Sequence, residues 1–230
     1  MKESLLDRLH QPPPTLIVSL PRNSVELAQA AVDGGAEVLK VHLNLRHAAS
    51  GLDFGPLAEE RERLQAILEA VEVPVGIVLG GKKVAPPEDL TELADLGFAF
   101  FDVYAHHAPA WLLEVKGLLP MFAIDDSYSL REVKMLEALG MQILEAAIVP
   151  PEGYGQPLTV RDVCLYGLLT RTVSVPVVVP TQRYVSPREV GILAGVGVHA
   201  LMIGAIVTGT DAHSLERTTR AFRQALRGCQ

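Results

Sequence analysis

One phrase recurs along this chain wherever a helix gives way to a strand. "GGAEVLKV" (34–41) returns loosely as "LGFAFFDV" (96–103), "LGMQILEA" (139–146) and "VGVHALMI" (196–203). Each copy has a glycine at a helix stop, followed by a run suited to a buried strand. A repeat of this kind constrains the fold more than any single motif. It demands βα units, hence parallel strands joined by helical crossovers.

Eight strands can be read in this rhythm. They are "TLIVSL" (15–20), "VLKVHLN" (38–44), "PVGIVLG" (74–80), "FAFFDVYA" (98–105), "PMFAIDD" (120–126), "QILEAAIV" (142–149), "VPVVVP" (175–180) and "ALMIGAIV" (200–207). Amphipathic stretches such as "SVELAQAAVDGGA", "LREVKMLEALG" and "SPREVGILAGVG" lie between them. Eight βα units in 230 residues, without a break in composition, predict an α/β fold: a closed TIM (β/α)8 barrel forming a single domain over residues 1–230. An open doubly wound sheet would carry a Gly-rich turn after its first strand, and "LPRNS" has no glycine. The prefix "LLDRL" (5–9) is expected to form a short helix closing the barrel bottom.

Composition excludes several roles. A formal net charge of −7 argues against a nucleic-acid partner, which favours a basic face. No apolar run is long enough to span a membrane, and "MKESLLDRLH" lacks the apolar stretch of a secretory leader. Cys164 and Cys229 form no metal-binding pair and point to reduced thiols in a cytoplasmic protein. Small barrels often pair, which leaves a homodimer open.

Parity then sorts the second strand. Leu39, Val41, Leu43 and Leu45 share one face, while Lys40, His42 and Asn44 share the other. In a barrel the greasy face meets the helices. The polar face climbs the inner wall toward the C-terminal mouth, where barrel active sites lie. On the fourth strand Asp102 shares a face with Phe98, Phe100, Tyr104 and His106, and is a natural partner for Lys40. The fifth strand ends in Asp125 and Asp126, one inward and one available as a helix cap. The sixth places Glu145 in an apolar run, where it needs a partner such as Lys40 or Arg183.

Lys40, His42, Asp102, Asp125 and Glu145 thus converge as candidate catalytic residues. Acids, a base and an ammonium at one mouth suit proton transfer. No metal is expected, because Lys40 would repel it and no metal-binding His spacing occurs; no cofactor is expected either. His10, His47, His199 and His213 have no chemical neighbours in sequence and are expected in solvent.

Phosphate recognition is expected after strands 7 and 8, the usual anion site of such barrels. Gly204 and Ala205 would bring backbone N–H groups close to a ligand, and Ser186-Pro187 reads as a helix start. Arg183 could add a charge-assisted bond. Loops 80–89 and 150–157 are lid candidates, and bring Lys82 and Tyr154 to the ligand. Asn44 completes the expected substrate contacts.

Several segments resemble a known family. "LLDRL", "TLIVSL", "GGAEVLKVHLN", "LGMQILEAAIVPPEGYG" and "SPREVGILAGVGVHALMIGAIVTG" are similar, in that order, to the ribulose-phosphate-binding barrels. The nearest likeness is to N-acetylmannosamine-6-phosphate 2-epimerases, clearest over residues 139–209. The resemblance implies epimerisation or isomerisation of a phosphorylated sugar. It also implies a lysine at the end of strand 3 and an acid at the end of strand 7. Here Lys82 lies late, and Pro180 and Thr181 stand where the acid would be. Lys40 and Asp102 would match the basic and acidic residues of strands 2 and 4. A lyase or transferase on the same phosphate-binding barrel, or a non-catalytic phospho-ligand barrel, are the alternative readings.

Overall fold

Alternate residues of the strands meet the helices outside and the lumen inside. In the computed structural model, which describes residues 4–229, eight parallel strands pair in sequence order. They are β1 (Thr15–Ser19), β2 (Val38–His42), β3 (Val75–Val78), β4 (Phe100–Tyr104), β5 (Leu119–Ile124), β6 (Ile143–Ala146), β7 (Val177–Pro180) and β8 (Ala200–Ile203). β8 returns to pair with β1, completing the expected barrel. Outward residues such as Leu39, Val41, Ile77, Phe101, Leu144 and Val179 share one core with helical Leu27, Leu64, Leu93 and Phe222.

The helices are α1 (Leu5–Leu9), α2 (Val25–Asp33), α3 (Leu57–Ala70), α4 (Pro87–Leu96), α5 (Leu130–Ala138), α6 (Val160–Thr172), α7 (Val190–Gly195), α8 (Ala205–Thr208) and α9 (Ala212–Arg227). Ser129 with Glu132 caps α5, and Thr159 with Asp162 caps α6, each by reciprocal bonds. No described helix is long and apolar enough to cross a membrane.

The lumen floor is a second apolar cluster. Ile17, Val38, Phe100, Met121, Ile143, Val178, Ala200 and Met202 fill it, and Leu5 and Leu9 of α1 seal it from below. The prefix helix therefore closes the bottom, as its sequence implied. Phe100 fits because its neighbour on β3 is Gly76: a Cβ there would lie 2.0 Å from the ring. Two residues further up β2, β4 and β6, the next inward positions hold Lys40, Asp102 and Glu145.

Three expectations need correction. β2 ends at His42, and Asn44 adopts φ 53°, so the alternation breaks there. Asn tolerates this left-handed conformation better than most residues. The turned chain forms a small hairpin, Leu45–Arg46 against Asp53–Phe54, and Leu45 faces the lumen mouth rather than the helices. Strand 8 does not run to residue 207 but stops before Gly204, and α8 follows. The β4–β5 crossover contains a 3-10 turn, Ala110–Glu114, in place of an α-helix.

Candidate active site

The mouth of the barrel encloses a cavity of about 270 Å³. At its floor the Lys40 ammonium donates to Asp102 Oδ2 and Glu145 Oε2, both at 2.7 Å. All three side chains are buried. Neighbouring strands cannot supply this arrangement. β2, β4 and β6 are alternate strands, and only barrel curvature brings their inward side chains to one point. Of the two partners considered for Glu145, Lys40 is the one it meets.

Burial disfavours the ammonium, but the two carboxylates outweigh it and raise the Lys40 pKa. Glu145 is pushed up to about 8, first by burial and then by Asp102, against the opposing pull of Lys40. Burial and the crowding of two carboxyl groups thus outweigh the pull of Lys40, and the Glu145 carboxyl stays partly protonated near neutral pH. Asp102 Oδ1 is buried and accepts no bond from the described residues.

A second group stands beside this one. His42 Nε2 lies 3.3 Å from Ser19 Oγ, and the His42 ring packs at a tilt against His47 at 4.5 Å and Phe54 at 4.8 Å. Burial first, then His47 and Lys40, hold the His42 pKa well below its usual value. His47 is held down to about 4, by burial and then Lys40. His47 was expected in solvent, and the structure corrects this: the 45–54 hairpin folds it over the cavity. The sequence signal was Asn44, whose tolerance of positive φ permits the turn.

These imidazoles set an acid limit on stability. The unfolded chain takes up protons below the ordinary histidine pKa of 6.5, while the folded site refuses them down to about 4 at His47. Stability is thus complete above that range and lost as pH falls through it. His47→Phe, which retains an aromatic ring against His42, should lose less urea stability between pH 7 and pH 5 than wild type. Equal losses would assign the acid sensitivity elsewhere.

The other expected site residues divide. Tyr154 and Gly204 line the cavity together with Lys40, His42, Asp102 and Glu145. The remainder are placed elsewhere. Asn44 donates to Leu79 O and braces its own turn. Asp125 accepts from Ser127 N and Oγ and faces His106 at 3.8 Å, outside the cavity wall. Lys82 is exposed on the β3 loop. Arg183 is engaged internally, donating to both carboxylate oxygens of Asp162 and to Gly153 O. Ser186 and Glu189 cap the α7 entrance through bonds at 2.7 and 2.8 Å. Ala205 opens α8, and its neighbours Gly204 and Ile206 form the wall.

The proposed lids are also tied down. Gly155 N donates to Gln182 O, Tyr184 N to Gln156 O, and Gly80 bridges Val84. Sequence reasoning missed Gln182, which is buried and lines the cavity between Pro180 and Gly204. Arg183 beside it is the charged residue of "PTQRY" and carries the stronger local signal. Tyr104 was visible as inward-facing by parity, without a role.

No protein-family model matches this sequence, and no curated protein is similar to it at a significant level. Solved structures resemble it in shape. A Mycobacterium tuberculosis tryptophan synthase chain superposes with a TM-score of 0.72 at 17% identity, over 98% of this chain and 99% of that one. The thiamine phosphate pyrophosphorylase of Pyrococcus furiosus gives 0.70 at 14% identity, over 98% and 99%. A structure described as native KDPGal gives 0.67 at 16%, over 95% and 97%. With closure of the eight-stranded sheet, these likenesses make the architecture plain: the chain is a TIM (β/α)8 barrel.

Proposed function

We propose that this barrel binds a small phosphorylated metabolite and moves a proton on it, in an epimerisation or isomerisation. The observation that carries the reading is the Lys40 ammonium held 2.7 Å from both Asp102 and Glu145 at the cavity floor. Glu145, pushed up to about 8, is poised to give or take a proton near neutral pH. Lys40 keeps its charge and has a third N–H for a ligand oxygen. A lysine so protonated is a poor nucleophile, which disfavours Schiff-base chemistry at this residue.

The phosphate seat we assign lies at the ends of β7 and β8. Thr181 and Gly204 line the cavity there, and Ile206 opens the wall from α8. The first amides of a helix have no intrahelical acceptor and suit an anion. Because Arg183 is bound to Asp162 and the Gly204 N–H donates to Thr181 Oγ1 at 3.2 Å, this seat relies on the Thr181 hydroxyl proton and the α8 amides beyond Gly204 rather than a side-chain cation. Among the similar barrels, one is named for a phosphate ester, which agrees with such a seat.

The test is proton exchange. Phosphorylated ketoses, aldoses and amino sugars are incubated with the protein in D2O, and deuterium incorporation is followed by NMR. At least one should exchange. Glu145→Gln, which preserves shape and hydrogen bonding, should slow that exchange by about 10²–10⁴-fold. Wild-type exchange in E145Q would refute the role of Glu145.

A further inference from the structure

The mouth carries a hydrogen-bond chain whose direction is set by the backbone. Val149 N–H is buried and donates to Gln182 Oε1 at 3.1 Å. An N–H can only donate, so this contact fixes which end of the Gln182 amide is oxygen. The Nε2 end must then donate, and it does so to Tyr154 Oη at 2.7 Å. With that lone pair occupied by Gln182, the Tyr154 hydroxyl has its own proton left to donate, and it lines the cavity. Tyr104 is hydrogen-bonded to Tyr154, so the two hydroxyls act as a linked pair, and it also lines the cavity, close to Glu145. Burial and then Glu145 raise the Tyr104 pKa, so its hydroxyl stays protonated.

We propose that the Tyr104 and Tyr154 hydroxyls form an oxyanion-binding subsite beside Glu145, with Gln182 as the residue that aims the Tyr154 proton. This deepens the proton-transfer reading and rests on it for the substrate class. That class is a carbonyl compound whose oxygen gains negative charge as an enolate forms. Neutral donors placed where charge develops stabilise it without reorganising. They also suit a cavity whose Lys40 charge is already balanced by carboxylates.

The test uses glycolohydroxamate, a planar mimic of an enediolate, titrated calorimetrically into the intact protein. Gln182→Glu is nearly isosteric. The introduced carboxylate still accepts from Val149 N–H, but it accepts from Tyr154 as well and so turns that hydroxyl proton away from the cavity. Wild type should bind the probe, and Q182E and Tyr154→Phe should each weaken it at least tenfold. Added charge alone is separated by the double variant: in a Y154F background, Q182E should cause little further loss. Thermal melting of Q182E should stay near wild type, which distinguishes aim from structural support. An undiminished Q182E, full additivity in the double variant, or no binding to wild type would each overturn the subsite. Probe binding needs no turnover, so it can succeed or fail independently of the exchange assay.

Discussion

Lys40→Met should abolish deuterium exchange and leave a protein whose stability falls steeply as pH rises. The substitution keeps the apolar stem and removes the charge that two buried carboxylates share at 2.7 Å. Breaking a buried ion pair from one side costs about 3–5 kcal/mol, because the remaining charges are left uncompensated. The acids can avoid that cost only by taking up protons. Their folded pKa values would then stand far above the unfolded values. A group raised in this way supports the fold below its unfolded pKa and withdraws that support as pH climbs through its folded one. Urea denaturation at pH 5 and pH 8 measures this directly. The gap between wild type and K40M should be small at pH 5 and wide at pH 8. A gap independent of pH would mean that the carboxylates do not depend on Lys40.

Gly76→Ala should be the most damaging single methyl group in the barrel. The new Cβ would lie 2.0 Å from Cζ of Phe100 and within 2.3 Å of both Cε atoms. Phe100 is itself fully buried against the floor cluster and cannot swing aside. Overpacking of this kind typically costs about 1–3 kcal/mol, and more where nothing yields. Phe100→Leu opens space at the same point, so the double variant G76A/F100L should be more stable than G76A alone. This non-additivity is the signature of a shared contact. A G76A protein as stable as wild type would show that the floor is looser than its packing implies.

Both predictions concern the inward face, and that face was unevenly legible. The parity of "VLKVHLN" placed Lys40 and His42 inside, and the parity of strand 4 placed Asp102 there, because side chains of a strand alternate strictly. Glu145 stood out for a different reason: a lone charge in an apolar run needs a partner. The reading failed where alternation stops. His47 lies beyond Asn44, whose positive φ begins a hairpin that turns the imidazole back over the cavity. Asp125 sits one residue past the end of β5, and a bond from Ser127 draws it into the loop.

The phosphate end shows a second kind of failure. The charge of Arg183 suggests an anion contact, yet its fork closes on Asp162, a residue 21 positions earlier that also caps α6. Gln182, uncharged and adjacent, reaches the cavity instead. A loop side chain is assigned to a ligand or to a structural partner only once its competitors are in place. Local sequence does not list those competitors.

What the sequence determined by itself is the barrel. Eight strand-and-crossover units, four of them entered through a glycine helix stop, admit few closed topologies, since local period and connection length act within each unit. The two-sided chemistry of β2 and β4, and the greasy prefix that seals the floor, followed from the same local rules. Only the tertiary structure decided which charges meet. Lys40 lies 62 residues from Asp102 and 105 from Glu145, distances over which no periodicity carries information. The curvature of the closed sheet converts separate inward positions into one buried ion cluster. Its low dielectric then sets the proton affinities on which the proposed chemistry depends.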